Sequence, residues 1–180
     1  LTEDEIAEAA HHASGKFQRF KHNVEDGVSP RSIPGQKGGR FLASGNEHTP
    51  EGHISEDPKN RVAQMNRRLQ KMEAIRDDLD ANSSHQTYYG DEDATYGIMT
   101  YDSQQGTVEE AVDRVRANGQ DVKMLGVSDL MPYPETDVRS FLESVDECLV
   151  VEMNTTEQFR GLTQKELGEF GPKLSSLLKY

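Results

Sequence analysis

Apolar positions follow two different rhythms along this 180-residue chain. Between Pro58 and Asp80 they recur at three- and four-residue steps, at Val62, Met65, Leu69, Met72, Ile75 and Leu79. That is the period of a single stripe on an α-helix. Asp57 is placed to cap it and Pro58 to fill its first position. At 1.5 Å per residue the helix spans about 33 Å, the width of a small domain. Its other faces carry Arg61, Arg67, Arg68, Lys71 and Arg76. This basic island reads either as a solvated face or, with the stripe, as a strut docking onto another domain or subunit.

From Ala94 onward short apolar runs alternate with helical periods. Strands are predicted over residues 94–101, 122–127 and 147–153, the last apolar enough to be central and parallel. A helix is predicted from an N-cap at Thr107, with Glu110 completing a capping box. It should bury Val108, Ala111, Val112 and Val115 and stop at Gly119. A second helix, Glu135 to Val145, turns Val138, Phe141, Leu142 and Val145 inward, and a third follows a cap at Asn154, Thr155 or Thr156. The closing KLSSLLKY is a short strand or an irregular tail. Strands separated by helices make an α/β, Rossmann-like βαβαβ half. The polar stretch from Ala81 to Asp93 reads as its leading linker.

Ahead of the long helix the chain is punctuated too often for ordinary elements. Thr2 and Glu5 suggest a short helix to about Ala13, which carries the adjacent pair His11 and His12 as surface residues. Lys16 to Val24 reads as extended, Glu25-Asp26-Gly27 as a turn, and Pro30 and Pro34 keep Ser29 and Ile33 extended. The run from Gly38 to Pro58 crowds Glu47, His48, Glu51, His53, Glu56 and Asp57 into one loop. Such side chains could form Asx-type turns, bind a divalent metal, or line a substrate channel or subunit contact. There is no HExxH motif and no cysteine partner.

Composition narrows this further. The chain is 33% hydrophobic with a net charge of -12. The charge argues against nucleic acid or an anionic membrane as partner and fits a cytoplasmic protein. No apolar run approaches the ~18 residues a membrane span needs. The single Cys148 supports neither a disulfide framework nor a four-cysteine iron–sulfur site. The loops at the predicted strand ends contain no GxGxxG or GxxxxGK[ST], so nucleotide binding has no motif behind it. The second half can build a core, whereas the first needs a neighbour to pack on.

Taken together, the blocks DGVSPRSIPG (Asp26 to Gly35), SGNEHTPEGHISEDPKNRV (Ser44 to Val62), MNRRLQKME (Met65 to Glu73), MPYP (Met131 to Pro134) and VVEMNTTEQF (Val150 to Phe159) resemble the C-terminal portion of the alpha subunit of 2-oxoacid:ferredoxin oxidoreductases. The resemblance implies that residues 1–82 are the tail of a pyrimidine-binding domain with its Gly/Pro-rich loop and connecting helix. Residues 83–180 would be a transketolase C-terminal-like α/β domain. The family oxidatively decarboxylates a 2-oxoacid, here 2-oxoglutarate by similarity, to an acyl-CoA and CO2. It uses thiamine diphosphate, Mg2+, coenzyme A and iron–sulfur clusters and passes electrons to ferredoxin.

The same resemblance places the family's catalytic carboxylate and substrate arginine upstream, and its diphosphate motif on the beta subunit. This segment is therefore expected to bind no cofactor and to contact the beta subunit and the remainder of the alpha subunit. Arg31, Glu47, His48 and His53 are expected nearest the active site or an interface. Ser103, Gly106, Asn154 and Gln158 mark the loops at the strand ends. Two departures weaken a ligand role there: TYDSQQG (Thr100 to Gly106) replaces a loop usually closer to GWGSTKG, and Glu157 stands where glycine is common. Two readings stay open beside this one, a stand-alone Rossmann-like regulatory or interaction domain, and a metal-dependent hydrolase using the Glu47–Asp57 loop.

Overall fold

The computed structural model describes residues 16–81 and 85–179. The expected helix at Thr2–Ala13, with His11 and His12, lies outside the described residues. The chain divides into two compact units, Leu1–Ile75 and Arg76–Tyr180.

In the first unit the chain before the helix is irregular, and α1 (Pro58–Ala81, 24 residues) begins where Asp57 and Pro58 place it. The Asp57 carboxylate accepts the amides of Lys59 at 3.1 Å and Asn60 at 3.3 Å, as an N-cap should. Which face α1 buries within the unit is not the one its apolar spacing suggests. Asn60, Gln64, Arg67 and Gln70 donate to backbone carbonyls of the preceding loops, at His48, Phe20, Gly27 and Glu25. Val62, Met65 and Leu69 point the other way and are 59%, 47% and 59% exposed. The reason lies in the partner: irregular backbone offers carbonyls that need donors, so polar side chains pack on it better than methyls. Gly27, in the left-handed region at φ 72°, sits so close to α1 that a Cβ would overlap the helix backbone at Arg67 and Lys71.

The second unit is a three-layer α/β/α sandwich. Its elements are β1 (Thr87–Gly90), β2 (Tyr96–Tyr101), α2 (Gln105–Ala117), β3 (Lys123–Val127), α3 (Glu135–Glu143), β4 (Glu147–Glu152), α4 (Gln158–Glu166) and β5 (Leu174–Leu178). The sheet order is β1-β3-β2-β4-β5. β2, β3, β4 and β5 are parallel, with Ile98 opposite both Met124 and Leu149, and Cys148 opposite Leu174. β4 is therefore interior and parallel, as its apolar run predicts. The last strand settles the open reading of KLSSLLKY in favour of a strand.

β1 is a correction to the linker reading. Thr87-Tyr88-Tyr89-Gly90 pairs antiparallel to β3 inside the stretch taken as polar connection. Its aromatics explain the pairing, since Tyr89 packs on the α2 side of the sheet and a polar composition does not prevent a short edge strand. A second correction concerns α2, which starts at Gln105 after a 3-10 turn at Asp102–Gln104 and leaves Thr107 inside the helix rather than at its cap. Val108 and Val112 are buried as expected, while Ala111 is exposed. Gly119 follows the helix at φ 80°, the conformation expected of its stop.

The two faces of the sheet are unequally covered. On one, α3 and α4 bury a large core including Met99, Leu125, Val127, Phe141, Leu142, Val150, Phe159 and Leu167. On the other, α2 covers Val122 and Met124 with Val108 and Val112. On that second face the β4–β5 end carries Leu149 only partly buried and Leu177 46% exposed.

Candidate functional site

In an open parallel sheet, ligands meet the loops beyond the strand carboxyl ends where the strand order reverses. Here the chain runs from β2 to β3 on one side and then to β4 on the other, so that point lies between β2 and β4. The structure brings the two expected loops together there. Ser103 and Gly106 follow β2, and Asn154 and Gln158 follow β4. Thr100 Oγ donates to the Val151 carbonyl at 3.0 Å, and the Tyr101 and Phe159 rings meet edge to face at 5.3 Å.

The residue that decides this site is Glu152, which sequence reasoning passed over. It ends β4 and is fully buried. Its carboxylate accepts the amides of Phe159 at 2.8 Å and Arg160 at 3.2 Å, at the start of α4, and the Asn154 side-chain amide at 2.5 Å. A helix amino terminus with free amides is a ready anion site. Here the chain's own carboxylate already takes the Phe159 and Arg160 amides that a phosphate would need. Asn154 in turn accepts the amides of Thr156 and Gln158, so it orders the turn rather than capping a helix that begins there. The signal that could have found Glu152 is an acidic residue in an otherwise apolar strand, six residues ahead of α4.

Two of the departures noted in the sequence fall on backbone that suits glycine. Asp102 and Glu157 are the described non-glycine residues with positive φ, at 51° and 52°. Both lie in the left-handed region that suits glycine. The Glu157 carboxylate pairs with Arg160 at 2.9 Å.

The other candidate residues sit in the first unit. Glu47 forms a two-point pair with Arg68, at 2.6 and 3.3 Å, and accepts the His48 amide at 3.1 Å. The bond from Arg68 is the main reason its carboxyl lies below the usual range. His48 stacks on Phe20 with ring centroids 4.1 Å apart and planes within 3°. Its Nε2 is 2.8 Å from the Ser44 carbonyl; a carbonyl can only accept, so Nε2 carries the proton. His53 is exposed and closes a turn with Thr49, whose amide donates to its carbonyl at 2.8 Å. A bridge between His48 and Ile54 ties the loop together. These groups order a loop that Arg68 and Asn60 hold to α1, while Arg67 bonds the Gly27–Ser29 turn, so that these two members of the basic island are neither a solvated face nor free for docking. Arg31 is exposed and joins none of them.

Among the described residues no group of three or more His, Cys, Asp and Glu side chains could hold a metal. Cys148 is buried, and burial pushes its thiol up to about 12. One cysteine cannot supply the four thiolates of an iron–sulfur cluster, so the segment does not fit one. Two cavities of the second unit, about 730 and 560 Å3, lie at the opposite end of the sheet. They are lined by residues such as Gly90, Lys123, Ala94 and Val122. No described helix is long and apolar enough to cross a membrane.

Comparison with known proteins agrees with this architecture. Residues 94–170 match the family model for the pyruvate:ferredoxin oxidoreductase core domain II. Subunit alpha of 2-oxoacid:ferredoxin oxidoreductase 1 from Sulfurisphaera tokodaii is 30% identical over 164 residues, covering 91% of this chain and 25% of the relative. Its counterpart from Aeropyrum pernix is 32% identical over 157 residues, covering 86% and 24%. The 2-oxoglutarate:ferredoxin oxidoreductase from Magnetococcus marinus, solved with 2-oxoglutarate, coenzyme A and succinyl-CoA bound, superposes with a TM-score of 0.67 at 27% identity. That match covers 95% of this chain and 30% of the solved one. The chain thus spans about a quarter of the length of the curated relatives it matches. It belongs to the 2-oxoacid:ferredoxin oxidoreductase alpha-subunit family and corresponds to the C-terminal portion of that subunit.

Proposed function

We propose that the chain is a non-catalytic, subunit-contacting part of a 2-oxoacid:ferredoxin oxidoreductase. In this reading residues 1–82 are the tail of the pyrimidine-binding domain with its connecting helix, and residues 83–180 the transketolase C-terminal-like domain. The whole cytoplasmic complex converts a 2-oxoacid, 2-oxoglutarate by analogy with the M. marinus enzyme, to an acyl-CoA and CO2 and reduces ferredoxin. Thiamine diphosphate, Mg2+, coenzyme A and the cluster belong to the beta subunit and the rest of the alpha subunit, and no reaction step is assigned to this chain's residues.

The observation that carries the proposal is the imbalance within the first unit. Of its described large apolar side chains, Val28, Ile33, Phe41, Leu42, Ile54, Val62, Met65 and Leu69 are exposed, while Phe17 alone is fully buried. Apolar area stabilises by about 25 cal/mol per Å2 only when it leaves water. A unit left this uncovered is built to be completed by other polypeptide. Analytical ultracentrifugation tests this. The isolated chain should self-associate, and Leu69→Asp with Met65→Asp should abolish association while the circular dichroism of the second unit persists. A monomeric wild-type chain that turns over a 2-oxoacid unaided would contradict it. The stand-alone sensor reading has less support, because the helix terminus that would greet a metabolite's anionic group already holds Glu152.

A further inference from the structure

The first unit contains a concentration of positive charge that neither its own packing nor the docking reading uses. Lys16, Arg19, Lys21, Arg31, Lys37 and Arg40 are set against only Glu25 and Asp26 between residues 16 and 46, inside a chain of net charge -12. Two guanidiniums reach one five-residue turn, Gly27 to Arg31, whose last residue carries a third. Arg67 reaches it from α1, donating to Ser29 Oγ at 3.0 Å and to the Gly27 carbonyl at 3.4 Å. Ser29, itself buried, passes the connection on by donating to the Lys21 carbonyl at 2.7 Å. Arg19 reaches the same turn from the other strand of the loop, with Nη1 3.5 Å from the Pro30 carbonyl. Arg31 is the next residue, exposed and, among the described residues, without a hydrogen-bond or ion-pair partner.

Among the described residues the one carboxylate that acts on this cluster is Glu47, which offsets part of the effect on Arg67 without pairing with it. Among the described residues Arg19, Arg31 and Arg67 form no ion pair, although Arg68, one position on, is fully matched by Glu47. The like charges act on one another: burial first, then Arg31, holds the Arg19 guanidinium below its ordinary value, and burial, Arg68 and Arg19 do the same to Arg67. Leaving such a cluster unpaired costs stability, and an acidic chain has carboxylates to spare.

The surroundings add shape. The Arg19 guanidinium lies 5.8 Å from the centre of the Phe20 ring, and Phe20 meets Phe41 edge-on at 6.4 Å. Phe41 in turn lines a concavity of about 430 Å3 with Ile33, Pro34, Gln36 and Arg40. Because Ser32 bonds to the Gly39 carbonyl at 2.7 Å, the two walls are fixed. A guanidinium whose five donors meet no partner among the described residues, beside a second with most of its donors free of them, matches a carboxylate or phosphate held at two points.

We propose that Arg31 and Arg19, held in place by Arg67, form a binding site for the oxyanion of a small ligand, carboxylate or phosphate, whose apolar portion lies against the Ile33–Phe41 concavity. This goes beyond the docking role and does not depend on it. A chain that proved monomeric would remove the docking reading and leave the anion site untouched.

Calorimetric titration at constant ionic strength, with potassium chloride as balance, tests the site using two probes, inorganic phosphate and succinate. Saturable binding of either supports the proposal, and whichever binds tighter identifies the oxyanion. Arg31→Gln, at an exposed position without partners, should fold normally and weaken binding at least tenfold. Arg31→Lys should recover only part of it, because an ammonium cannot make the two-point contact. Arg114→Gln, at a surface pair in the second unit, should change nothing. Absence of saturable binding for both probes would overturn the proposal, as would affinity that Arg31→Gln and Arg19→Gln leave unchanged.

Discussion

The carboxylate of Glu152 and the amide of Phe159, 2.8 Å apart, join the end of β4 to the start of α4. The bond couples a buried negative charge to the positive end of a helix dipole, which offsets much of the cost of burying it. It also fixes the sheet's switch point in a state closed to anions. Glu152→Gln replaces one acceptor oxygen by a donor facing other donors, and should destabilise the second unit by about 1–3 kcal/mol. Urea unfolding of the pure variant measures this; an unchanged midpoint would mean the bond contributes nothing.

Glu157 offers the opposite test. At φ 52° it holds a conformation that glycine adopts freely, and its surface pair with Arg160 contributes little in return. Glu157→Gly should raise stability by about 1 kcal/mol, seen as a higher melting temperature with no change in secondary structure.

The acid sensitivity of the first unit should trace to Glu47. Its folded carboxyl lies below the ordinary value because Arg68 holds the charged form. The sign follows from linkage. The pair's contribution is fully present above the unfolded carboxylate's value and fades as pH falls through the lower folded one. Amide exchange of residues 44–68 should show loosening below about pH 4. Glu47→Gln should be looser at neutral pH and show a flatter response to acid.

Cys148 should be silent in the native protein. It is 1% exposed, with its thiol pushed up to about 12, so a thiol reagent at pH 8 should label it only after unfolding. Labelling at the rate of a free thiol in buffer would show that β4 opens readily.

How much of this was legible beforehand depends on what each residue answers to. The three central strands and α3 were readable because their apolar positions face a core built from the same segment, so local periodicity and tertiary burial agree. Phe141 and Leu142 are examples. The strand at Thr87–Gly90 was hidden because an edge strand needs little apolar content. The orientation of α1 was hidden for a different reason: its apolar stripe was read correctly as a stripe, but its burial depends on what lies across from it. Within this chain Gln64 and Arg67 meet backbone carbonyls, and periodicity says nothing about those. Glu152 escaped notice because its partners, the amides of α4, have no sequence signature.

The central claim is that residues 16–75 complete their packing on polypeptide outside this chain. Hydrogen–deuterium exchange of α1 compares the isolated chain with the assembled oxidoreductase most directly. The amides of residues 60–72 should exchange rapidly in isolation while Met99, Leu125 and Val150 stay protected, and should become at least a hundredfold slower in the assembly. Equal protection of that stretch in both states would contradict the account.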